Sequence, residues 1–134
     1  MCRLFDLATA LATECRAYAY GVAVKLAPDY QLGEHEFASQ IYIVPTESDR
    51  TISSRGDAKR IYIYEVGLLK WCRDENGLKA EVENLEALAE SLLGTELEDA
   101  FISKVDTKAL YSVEAYAKRK QYVGVLEVGI QDLT

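Results

Sequence analysis

The stretch Arg60–Trp71, RIYIYEVGLLKW, decides the fold. Side chains alternate across a strand, so Tyr62, Tyr64, Val66 and Leu68 share one face while Ile61, Ile63, Glu65 and Leu69 share the other. Both faces are largely apolar, which predicts a strand lying centrally in a covered sheet. Upstream, the run Phe37–Val44 is β-branched and aromatic and reads as a second strand, closed by Pro45 because proline cannot donate to a sheet ladder. Between the two runs, Thr46–Lys59 (TESDRTISSRGDAK) is polar and reads as a long connection, and loops of that length in a compact domain are usually either functional or flexible.

Further outward, Leu4, Leu7, Ala8, Leu11, Ala12, Cys15 and Ala19 recur at helical spacing, which predicts an amphipathic helix over residues 3–18 with Cys15 on its apolar stripe. Val22, Val24 and Leu26 share a face of a short strand that Pro28-Asp29 ends. On the other side, Asp74-Glu75-Asn76-Gly77 supplies capping and turn chemistry, after which Leu78, Val82, Leu85, Ala89, Leu92 and Leu93 mark a helix that Gly94 should end. Its other face carries Lys79, Glu81, Glu83, Glu86 and Glu90, a solvated surface or one that meets a basic partner. Phe101–Val105 and Tyr122–Ile130 read as strands, with Val113–Lys120 a short helix or loop between them. The order α-β-β-β-α-β-β predicts an α+β fold, a mostly antiparallel sheet with two main helices packed on it, and 134 residues fit one domain, 1–134. The tripeptide Glu-Val-Gly occurs at 65–67 and again at 127–129. Two glutamates directly opposite would repel, so they are expected offset, or each paired with a cation such as Lys70 or Lys120.

Composition narrows the function. No apolar run approaches the roughly 18 residues of a spanning helix, and Asp6 and Glu14 interrupt the apolar start, so neither a signal peptide nor a membrane anchor is expected. Cys2, Cys15 and Cys72 leave an odd thiol and no C-x-x-C spacing, which disfavours a disulfide framework or zinc knuckle and fits a reducing cytoplasm. A net charge of −7 opposes counterion-release binding to nucleic acid over most of the surface. Two local basic clusters remain, Arg50 with Arg55, Lys59 and Arg60, and Lys118-Arg119-Lys120 beside Tyr116 and Tyr122. Nine tyrosines against three phenylalanines and one tryptophan suit either half-buried strands or surfaces that meet other proteins.

Signals for chemistry are thin. His35 is the one histidine, and Glu34 and Glu36 alternate with it, so the three would straddle a strand instead of converging on a metal. The sequence has no phosphate-cradling, dinucleotide or nucleophile-elbow glycine motif. Cys72 lies beside Lys70 and Arg73, cations that lower a thiol pKa, but has no base nearby in sequence and reads as a partly buried thiol. No catalytic residue, metal ligand or cofactor is expected.

The serial arrangement Ala27-Pro28-Asp29-Tyr30-Gln31-Leu32, Ile41-Tyr42-Ile43-Val44-Pro45, Ser54-Arg55-Gly56, Tyr62–Lys70, the Leu-rich acidic helix and Leu110-Tyr111-Ser112 runs from Ala27 to Ile130. It resembles the tail terminator, or tail-completion, proteins of tailed bacteriophages. The pattern departs from that family where Lys108-Ala109 stands in place of Asn/Asp-Pro before Leu110-Tyr111. The resemblance implies a non-enzymatic virion protein of the tail or neck, assembled in the host cytoplasm. It would form a homo-oligomeric ring, commonly a hexamer, that caps the tail tube protein, stops tube growth and docks the head-side connector. DNA would be only passing cargo, and no membrane is involved. In that role Arg50, Arg55 and Lys59 of the long connection, Tyr62, Tyr64 and Glu65 of the strand, and Glu83, Glu86 and Glu90 of the helix are the expected interface residues. An acidic lining lets DNA slide, so Glu65, Glu127 or the helix glutamates are expected toward a channel. Other readings are a different neck or head-completion protein, and a small cytoplasmic enzyme or ligand-binding α+β domain using His35, Cys72 and a pocket lined by tyrosines.

Overall fold

Arg60–Trp71 is the inner part of a longer strand, β3 (Ala58–Trp71), third in a six-stranded sheet. In the computed structural model the described residues are 3–18, 21–25, 40–52, 58–72, 74–97, 99–112, 116–117 and 120–132, with the backbone alone for residues 3, 47–52 and 58–59. The elements run α1 (Arg3–Cys15), β1 (Gly21–Val24), β2 (Gln40–Ile52), β3, α2 (Glu75–Leu92), β4 (Glu96–Leu97), β5 (Ala100–Ala109) and β6 (Gln121–Asp132). The sheet order is β1-β2-β3-β6-β5-β4, and only the β1–β2 pair is parallel. The expected α+β architecture holds, with the short β4 as an added strand.

Both helices lie on one face. α1 covers β1 and β2 while α2 covers β5 and β6. Tyr62, Tyr64, Val66 and Leu68 of β3 pack beneath them with Ile41 and Ile43 of β2 and Leu126, Val128 and Ile130 of β6. Leu7, Leu11 and Cys15 of α1 and Leu85, Leu88 and Leu92 of α2 complete this core, each large aliphatic side chain contributing roughly 1.5–3 kcal/mol by leaving water. Two long-range hydrogen bonds fasten the helices. Tyr64 Oη donates to the Leu4 carbonyl at 2.5 Å, and Asn84 Nδ2 donates to the Tyr18 carbonyl at 3.1 Å. No helix among the described residues is long and apolar enough to cross a membrane.

α2 is capped as the sequence predicts, Asp74 accepting from the Gly77 amide at 2.9 Å, and Gly94 follows its end in the left-handed region at φ 82°. Glu81, however, belongs to the buried side. It falls in line with Leu85, Leu88 and Leu92, is 8% exposed, and reaches Lys70 at 3.3 Å. A half-exposed lysine from the end of β3 is what lets an acid occupy a core position.

Pro45 does not end β2. The β1 partner stops at Ile43, so among the described residues one side of β2 is an edge beyond it, and the β2–β3 register shifts between Pro45 and Glu47. Thr46 is the extra residue, and its hydroxyl donates to the Ile63 carbonyl at 2.9 Å. Edges and bulges are the settings in which proline's missing N–H spares the ladder. The polar stretch expected as a loop is therefore mostly paired strand, a ribbon running out to Ile52 opposite Ala58.

Gly124 is a point of close approach between α2 and the sheet. A Cβ there would collide with Tyr122 Oη and meet Leu85 Cδ2 at 2.7 Å. Tyr122 cannot swing aside, because it is fully buried and donates to the Leu110 carbonyl at 2.7 Å. Gly124→Ala is predicted to destabilise the fold by about 1–3 kcal/mol, read as a lower urea midpoint at unchanged slope.

Candidate functional site

The helix-free face of the sheet carries the most distinctive chemistry. Val44, Glu65, Glu127 and Asp106 stand side by side across β2, β3, β6 and β5. The two Glu-Val-Gly tripeptides thus meet head-on in an antiparallel pair, with Gly67 opposite Val125 and Gly129 opposite Ile63. The expectation that the glutamates would be offset, or paired with Lys70 or Lys120, is corrected. They are direct partners, Lys70 is taken by Glu81, and Lys120 lies over the Tyr116 ring at 4.8 Å.

Two bulges in β5 answer the repulsion. The β5–β6 register shifts between Ile102 and Lys104 and again between Thr107 and Ala109, which leaves Ser103 and Lys108 as extra residues. Ser103 donates to the Gly129 carbonyl at 3.4 Å, and Lys108 reaches past β6 to Glu65 at 2.9 Å. Lys104 pairs with Asp106 at 3.2 Å. The carboxylates hold the Lys104 and Lys108 ammonium groups above the ordinary lysine value, through hydrogen bonds to Asp106 and Glu65 respectively and through the added field of Glu127. Beside this row lies a small second cluster, Tyr42, Leu69, Val123 and Val125, buried although neither helix covers it. Lys25 Nζ sits 3.9 Å above the Tyr42 ring.

The other expected contact residues separate into three places. Glu83, Glu86 and Glu90 are exposed on the outer side of α2. Tyr62 and Tyr64 are core residues beneath the helices, 6% and 0% exposed, because their even phase along β3 is the helix-bearing face. Arg50 and Lys59 belong to the ribbon, where the register sets Arg50 opposite Arg60 and Thr51 opposite Lys59. Arg55 lies outside the described residues, as do His35 with Glu34 and Glu36, Cys2, Lys118-Arg119 and the segment Ala27–Leu32. Glu65 and Glu127 therefore occupy the opposite side of the molecule from the helix glutamates, and one channel cannot take its lining from both.

Cys72 is 4% exposed, and its neighbourhood raises the thiol pKa. Burial is the main cause and Glu81 the next, together outweighing Lys70, so the lowered pKa that the adjacent cations imply does not arise. Cys15 is fully buried, and burial with Glu14 pushes its thiol up to about 12. Among the described residues no group of His, Cys, Asp and Glu side chains is placed to hold a metal ion. Sequence reasoning missed Lys104 and Lys108, whose positions depend on bulges that leave no sequence mark beyond strand residues of mixed polarity.

No protein-family model matches the chain, and no curated protein matches it. Among solved structures, it is similar to a chain of the structure titled "Virion of native gene transfer agent (GTA) particle", at 11% identity and a TM-score of 0.42, over 96% of this chain and 91% of that one.

Two measurements probe these sites. Lys108→Ala should lower stability slightly at low salt, and the difference from the parent should shrink as added salt screens the Glu65–Glu127 repulsion. For Cys15 the folded pKa is raised, so its contribution is whole below the ordinary thiol value of 9.0 and is lost as pH climbs toward about 12. Denaturation midpoints should therefore fall across that window, and Cys15→Ala should flatten the fall while lowering stability at neutral pH.

Proposed function

We propose that this chain is a structural subunit of the neck or tail end of a tailed-phage particle. Six copies close into a ring that caps the tail tube, ends its polymerisation and offers a docking face to the head-side connector. The reading starts from the serial resemblance between Ala27 and Ile130, and one structural observation carries it further. The two ends of β3 are chemically unlike: a ribbon of mixed charge, with Arg50, Lys59 and Arg60 beside Glu47 and Asp49, leaves one end, and the acidic helix α2 follows the other. A subunit that closes a ring by rotation needs two different side surfaces, each complementary to the other. In this reading the protein has no catalytic residue and no cofactor, acts in the virion after assembly in the host cytoplasm, and meets other copies of itself, the tail tube protein and the connector.

DNA in transit is cargo. The helix-free face, with its row of Glu65, Glu127 and Asp106, is the surface proposed for the lumen, since carboxylates there withhold the phosphate contacts that dominate affinity. The glutamates of α2, on the far side, are left to the subunit contacts.

Electron micrographs of the purified protein, with native mass spectrometry, should show closed rings of six. Alanine at His35 and at Cys72 should leave them intact. Particles assembled without this chain should have tails of uncontrolled length or tails unjoined to heads. A protein that stays monomeric and turns over a small molecule through His35 or Cys72 would overturn the proposal.

A further inference from the structure

We draw no further inference here: the strongest candidate, the apolar groove that Leu78 and Val82 of α2 form with Tyr111 and Tyr116, carries Lys79 between Glu75 and Glu83 on its rim, and nothing in the structure shows what covers it.

Discussion

The register of β3 between β2 and β6 is the constraint from which the remaining features follow. Both neighbours run antiparallel to it along nearly its whole described length, so its alternation is imposed on them. Tyr62, Tyr64, Val66 and Leu68 face the helices, and the partners that register brings beside them, Ile43, Leu126, Val128 and Ile130, become the rest of that core. A slip of one residue would send every one of these to the helix-free face and bring Glu65 under α1 and α2. The Tyr64 bond to Leu4 marks the correct register, because only that phase lets the phenol reach the first turn of α1.

What the sequence revealed and what it hid separate along this line. Alternation in RIYIYEVGLLKW was enough to locate the central strand and its two faces, and the capping residues Asp74 and Gly94 bounded α2, since these signals are local. Misread features depended on partners distant in the chain. Pro45 looks like a strand end until β1 is known to stop opposite Ile43, which among the described residues makes that part of β2 an edge. Glu81 looks solvated until Lys70 is placed beside it. The polar stretch after Pro45 looks like a loop because its pairing comes from the ladder with β3 and not from its own residues. Of the expected contact residues, Tyr62 and Tyr64 lie in the core: tyrosine suits an interface and a core equally well, and the phase of β3 sets these two beneath the helices.

The charge arrangement shows how a sheet accommodates an unfavourable pair. Glu65 beside Glu127 would be a defect in a regular antiparallel ladder. The β5 bulge at Lys108 shifts one ammonium group to where it bridges from β5 to Glu65, and the bulge at Ser103 restores Lys104 to the same face. Irregular backbone thus supplies the cations that regular alternation would have pointed elsewhere. The face remains acidic with a thin counter-row of lysines, while its opposite side is closed by helices, and that asymmetry makes the two faces of the sheet chemically unlike.

Those same irregularities govern what happens at the rim of the sheet. Among the described residues, no strand pairs with the outer side of β5 past Ile102 or with the outer side of β2 past Ile43. Open rims of this kind invite runaway strand addition and fibre growth. Kinks at Ser103 and Lys108 with their lysines, and proline with its bulge on β2, spoil the straight template such growth requires. A crowded solution of this chain is thereby steered away from amyloid-like stacking, because an interrupted and charged rim offers an incoming strand no continuous ladder.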